Sequence, residues 1–152
     1  MMLHIRELQL TEEYPIHLFL LADPDLGMVE SYVYRSKCYV LEENHEIIGS
    51  YLLLPTRPMT IELVNIAVIT KKQGRGYGKE LVKHAIETAR TLGYQTIEVG
   101  TGNSGVQQLG LYQKCGFRIY GVDLDFFTRH YKEPIFENGI QCRDMIRLSQ
   151  DL

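Results

Sequence analysis

Gly74, Gly76 and Gly78 stand at alternate positions in the turn Gln73-Gly74-Arg75-Gly76-Tyr77-Gly78, between an apolar run and an amphipathic stretch. Glycine lets a backbone approach a ligand with no Cβ in the way. A helix starting at such a turn offers free N–H groups and the positive end of its dipole to an anion. The chemistry these residue types point to is phosphate binding, and Arg75 and Lys79 add positive charge beside it.

Two elements must hold that turn in place. The run before it, residues 61–69, reads by its apolar composition as a strand buried on both faces. After it, Leu81, Val82, Ala85, Ile86 and Ala89 fall on one face at the helical period, and Gly93 supplies the stop. Residues 94–99 are a further strand, and the helical crossover makes it parallel to the first.

The rest of the chain reads as follows. A strand ends near Gln9, and Thr11 caps a helix that tolerates Pro15 and buries residues 16–22. Asp23-Pro24-Asp25 breaks it before a second helix through Met28, Val29, Tyr32 and Val33. Residues 38–43 and 46–54 form a hairpin around Asn44-His45. Ser104 to Gln107 fits a capping box for a helix running to Lys114, with Gly116 after it. Residues 117–127 read as a strand, 128–139 as a loop, and 140–149 as a closing strand whose edge suits a homodimer.

Three phosphate-binding patterns compete for the turn. The Walker pattern fails, because Gln73 and Glu80 stand where it requires a glycine and a hydroxyl residue. The dinucleotide fingerprint fails at Lys79, which occupies its third glycine position. The pattern [Gln/Arg]-x-x-Gly-x-[Gly/Ala] is met by Gln73, Gly76 and Gly78. Upstream stands Ile66-Ala67-Val68, and downstream Leu111-Tyr112-Gln113-Lys114-Cys115-Gly116-Phe117. In this order and spacing the chain resembles the GNAT superfamily of acyl-CoA N-acyltransferases, whose motifs include an apolar L-A-V strand and L-Y-x-K-x-G-F.

The resemblance implies an α/β fold of GNAT type, with a mixed, mostly antiparallel central sheet, helices on both faces and a splay at the acyl-CoA site. It implies acetyl transfer from acetyl-CoA, a co-substrate, to a primary amine by direct attack in a ternary complex. Gln73, Gly74, Arg75, Gly76, Tyr77, Gly78 and Lys79 would hold the pyrophosphate. Ile66, Ala67 and Val68 would pair with the pantetheine arm and supply an oxyanion donor. An acceptor ammonium with pKa near 10.4 costs about 4.6 kcal/mol to deprotonate at pH 7. Glu62 is implied as the general base and Tyr112 as the acid at the departing thiolate. In a regular strand Glu62 shares a face with Val64, Ile66 and Val68, and the bulge that the resemblance implies for this strand would alter that after the bulge point. Asn103 is the implied counterpart of a family asparagine at the cofactor, although it lies two positions further from Tyr112 than the family pattern has it. A non-catalytic acyl-CoA sensor and a protein N-acetyltransferase are the rival readings.

Composition sets the outer bounds. The 152 residues read as a single N-acetyltransferase domain, 1–152, and 45% hydrophobic with 23% charged residues is ordinary for a globular protein. A net charge of −3 argues against nucleic acid as a partner and leaves a small amine or a peptide as acceptor. Three scattered cysteines without a CxxC suit reduced thiols and a cytoplasmic setting. Residues 1–7 do not read as a leader, and no apolar run suits a membrane span. The five histidines show no metal spacing, and Cys115 reads as core. Tyr32 and Tyr131 are among the tyrosines that could line an acceptor cleft or simply pack. Asp23, Asp25, Glu30, Asp123 and Asp125 could attract a cationic acceptor or sit in solvated loops.

Overall fold

The computed structural model describes residues 3–152, so Met1 and Met2 of the segment read as no leader lie outside the described residues. The strands are β1 (Leu3–Glu7), β2 (Lys37–Glu43), β3 (Glu46–Arg57), β4 (Thr60–Val68), β5 (Thr96–Gly102), β6 (Arg118–Asp123), β7 (Ile135–Glu137), β8 (Ile140–Cys142) and β9 (Met145–Asp151). The helices are α1 (Ile16–Ala22), α2 (Leu26–Val33), α3 (Tyr77–Thr91), α4 (Val106–Lys114) and α5 (Phe126–His130). Seven strands make one sheet in the order β1-β2-β3-β4-β5-β9-β6, and β7 pairs with β8 alone. Every neighbouring pair is antiparallel except β4 and β5, which are parallel. Among the described residues no helix is long and apolar enough to cross a membrane.

Each face of the sheet carries its own core. Leu81, Val82, Ala85 and Ala89 of α3 and Tyr112 of α4 pack against Tyr51, Leu53, Ile61, Leu63, Ile97 and Leu148. On the other face Phe19 of α1 and Val29, Tyr32 and Val33 of α2 pack against Cys38, Val40, Leu52 and Leu54. The expected mixed sheet with helices on both faces is therefore present.

A bulge in β4 changes which side chains point where. Leu52 pairs with Asn65 but Leu53 pairs with Leu63, so Val64 is an extra residue. Val64 and Asn65 both face α1 and α2, where Asn65 bonds the Phe19 carbonyl. Ile66 and Val68 turn to the α3 side instead. Glu62 thus does not share a face with Ile66 and Val68, as a regular strand would require.

Several expected elements differ. The first helix starts at Ile16, after Pro15, with no cap from Thr11. Glu12 is drawn back to β1, where it takes a two-point ion pair from Arg6 at 2.7 and 2.8 Å and accepts the Gln9 N–H. The capping box at Ser104 does not form, because the Ser104 hydroxyl donates to Glu137 at 3.2 Å and Gly105 precedes the helix instead. The expected strand over 117–127 stops at Asp123 and gives way to α5. The expected loop over 128–139 contains the end of α5 and the strand β7, joined to β8 through Asn138 and Gly139, both at positive φ. The closing strand is split into β8 and β9, and β9 lies between β5 and β6. Being paired on both sides, it offers no edge to a second copy.

Candidate active site

The glycine turn is built as an open helix start. Gly74 has φ +77° and Gly76 has φ +85°, a region that side chains beyond glycine enter only at a cost. Gly76 precedes α3 with no side-chain cap, and the Glu80 N–H to Gly76 carbonyl bond at 3.1 Å is the first of the helix. The N–H groups of Tyr77, Gly78 and Lys79 precede it and have no helical partner. The Gln73 side chain donates to the Val68 carbonyl at 2.9 Å and so ties the turn to the end of β4. The Tyr77 hydroxyl donates to Glu43 at 2.8 Å, and Lys72 pairs with the same carboxylate. Arg75 and Lys79 are exposed beside the turn.

From this turn a cleft of about 590 Å³ runs between β4 and β5. The two strands pair only from Thr60/Thr96 to Leu63/Val99 and then part. They part because β4 stays on β3 to Val68 while β5 stays on β9 to Gly102. Ile66, Ala67, Val68, Gly74 and Gly78 line one wall, with Gly100, Thr101, Gly102, Leu111 and Tyr112 on the other. Gly102 is a close-approach position, since a Cβ there would sit 2.3 Å from the Cys142 sulfur.

Tyr112 reaches the cleft from α4 and is only 4% exposed. Its ring packs edge-on against Phe117 with centroids 5.9 Å apart. Among the described residues no protein group hydrogen-bonds its hydroxyl, and burial pushes the phenol up from its ordinary value.

Glu62 stands lower, under the bulge. Leu63 and Val64 line the cleft, but Glu62 does not. Its carboxylate lies 3.6 Å from Arg147. Burial holds it above the usual glutamate range, the Arg147 charge pulls it down, and Glu98 raises it again.

Asn103 is not at the cleft. Its amide donates to the Gln141 carbonyl at 3.1 Å and accepts the N–H groups of Arg143 and Asp144 at 2.8 and 3.0 Å. Those bonds occupy the side chain in clamping the end of β5 to the segment between β8 and β9.

The other end of the cleft is lined by Asp23, Pro24, Asn65, Phe127, Tyr131 and Ile135. Asp23 accepts the Tyr32 hydroxyl at 2.8 Å and the Tyr131 hydroxyl at 2.9 Å. Burial pushes its carboxyl up, and the two hydroxyls work against that. Asn65 donates to the Phe19 carbonyl at 3.0 Å and to the Tyr32 oxygen at 3.1 Å. Sequence reasoning passed over Asn65, although a carboxamide inside the run Leu63-Val64-Asn65-Ile66-Ala67 is itself a signal, because a buried amide needs partners. Among the described residues no group of three His, Cys, Asp or Glu side chains is placed to hold a metal ion.

Comparison with known proteins agrees with this geometry. Residues 2–117 match the family described as "Acetyltransferase (GNAT) family". The "Uncharacterized N-acetyltransferase YvbK" of Bacillus subtilis (strain 168) is 59% identical over 135 residues, covering 89% of this chain and 87% of that one. A Bacillus subtilis acetyltransferase solved in complex with CoA superposes with a TM-score of 0.93 at 55% identity, over 99% of each chain. A GNAT family acetyltransferase from Elizabethkingia anophelis with acetyl-CoA bound gives a TM-score of 0.96 at 43% identity, over 99% of this chain and 98% of that one.

Proposed function

The chain belongs to the acetyltransferase (GNAT) family, and from that premise we propose that residues 1–152 act as one unit that binds acetyl-CoA and acetylates a small primary amine by direct attack. The observation that carries this is the uncapped start of α3 opening onto a cleft between the parted strands β4 and β5. Similar structures hold CoA and acetyl-CoA. The N–H groups around Gly74, Gly76 and Gly78, with Arg75 and Lys79, receive the pyrophosphate. The pantetheine arm lies along Ile66, Ala67 and Val68, where β4 has no neighbour on its β5 side.

The amine nitrogen attacks the thioester carbonyl carbon, the C–N bond forms, and the C–S bond breaks. Starting from an ammonium, one proton leaves before attack and a second as the amide forms. The thiolate takes one from Tyr112, so each turnover releases one proton overall. Glu62 is the proton acceptor, reached through water because it lies behind the cleft wall. Tyr112 is assigned the acid role because its phenol lines the cleft and, among the described residues, no protein group engages its hydroxyl. Pro24, Phe127, Tyr131 and Ile135 line the acceptor end of a cleft of about 590 Å³, a size that suits a small molecule. Three free cysteines suit a cytoplasmic setting.

The test is acetyl-CoA-dependent thiol release across a panel of amines and peptides. Turnover with small amines is expected. Release no faster than background hydrolysis with every acceptor would overturn the enzymatic reading in favour of an acyl-CoA sensor.

A further inference from the structure

The acceptor end of the cleft holds a buried carboxylate without a countercharge. Asp23 is 8% exposed, and both of its side-chain partners are neutral tyrosine hydroxyls. Among the described residues no cation forms an ion pair with it. A buried carboxylate in that state is costly unless a cation joins it.

A second unsatisfied acceptor stands beside it. Asn65 is 3% exposed, and among the described residues its Oδ1 has no hydrogen-bond partner. The Phe19 carbonyl can only accept, so it fixes which end of the amide is the NH2 and leaves the oxygen over. The Tyr32 hydroxyl links the two groups, donating to Asp23 and accepting from Asn65. Asp23 and Asn65 both line the cleft. A carboxylate and an amide oxygen on one wall call for a ligand with a positive charge and at least two N–H donors.

The remaining wall narrows the class. Leu21, Pro24, Phe127, Ile135 and Met145 offer apolar surface. Among the described residues Lys72 is the one cation lining the cleft, and it is paired with Glu43. An acceptor with a carboxylate beside its nitrogen would find no partner for it.

We propose that Asp23 and the Asn65 side-chain oxygen seat the acceptor's ammonium group, and that the acceptor is a small primary amine on an apolar body with no carboxylate next to the nitrogen. This rests on the acetyltransferase reading above. The seat sets which amine binds, while Glu62 and Tyr112 move protons.

The experiment compares phenethylamine with phenylalanine, which share a skeleton and differ by the carboxylate. The wild-type protein is expected to favour phenethylamine in kcat/KM by about 100-fold, and Asp23→Asn to raise its KM about 30-fold with the acetyl-CoA KM unchanged. A preference for phenylalanine, or an unchanged amine KM in a folded Asp23→Asn protein, overturns the seat alone. The wild-type comparison needs no variant to fold. Thiol release with no amine at all, while acetyl-CoA still binds by calorimetry, overturns the acetyltransferase reading and the seat with it.

Discussion

Glu62 and Glu98 stand side by side across the parallel β4–β5 pair, yet each carboxylate has its own arginine, Arg147 for Glu62 and Arg57 for Glu98. Two like charges in register would repel if left alone. Glu98 is held further by the Tyr120 hydroxyl at 2.9 Å. Glu62 has the looser contact, 3.6 Å from Arg147, whose guanidinium also lies 5.7 Å from the centre of the Phe126 ring. Of the two carboxylates, Glu62 is therefore the less tightly held.

That asymmetry sets a pH dependence. Burial raises the Glu62 carboxyl and Arg147 lowers it. A base must be ionised, so kcat/KM is expected to fall with acid at a pH above the ordinary glutamate value of about 4.3. Glu62→Gln should lower kcat about 100-fold and remove this limb. Arg147→Met takes away the favourable charge, so it should move the limb to higher pH. Rate profiles of the three proteins between pH 4 and 9 check this, and an unmoved limb in Arg147→Met would count against Glu62 as the group responsible.

The sequence showed the glycine-turn end of this cleft well and the Asp23 end poorly. Gly74, Gly76 and Gly93 could be read because positive φ leaves a residue-type signature. The α3 face could be read because burial on a helix repeats with a fixed period. The resemblance implied a bulge in β4, but its place at Val64 has no such signature, since Val64 and Asn65 fit a regular strand equally well until the β3 register is known. The Asp23 cluster joins side chains far apart in the chain, Tyr131 being 108 positions away, and no local pattern encodes such a meeting. The inner place of β9 was hidden for the same reason, because its partner β5 lies well upstream.

Gly76 and Gly93 separate backbone strain from cofactor binding. They have φ +85° and +91°, and a Cβ at either would meet nothing within 4 Å. Alanine at each should therefore cost about 1–2 kcal/mol through conformation alone. Gly76 starts the proposed anion site and Gly93 follows the far end of α3. Gly76→Ala should also weaken CoA binding about tenfold, while Gly93→Ala should leave it unchanged. Urea unfolding and calorimetric titration measure the two effects separately.

Tyr112→Phe removes a hydroxyl that no protein group bonds among the described residues, and the ring keeps its contact with Phe117. Unfolding midpoints should stay close to wild type, since no intramolecular hydrogen bond is lost. If the phenol protonates the thiolate, kcat should fall about 100-fold. The loss should shrink with an acetyl thioester of a more acidic aryl thiol, which leaves without help. An equal loss with both donors would assign the hydroxyl to positioning instead.

Asp23 should trade stability for binding. Its carboxyl is raised in the folded state, above an unfolded value of about 3.9. Below that pH it is neutral in both states. As pH rises the unfolded chain ionises first, so the folded state holds the extra proton and stability falls through the higher, folded value. Asparagine cannot ionise and escapes this loss. Asp23→Asn is therefore expected to be more stable than wild type at pH 8, by a margin that closes as the pH is lowered towards 4. Urea midpoints of both proteins at the two pH values test this, and a wild type more stable at pH 8 would mean the carboxylate already has a stabilising partner. Saturating phenethylamine supplies the missing positive charge and binds only the folded form, so it should raise the wild-type midpoint more than that of the variant.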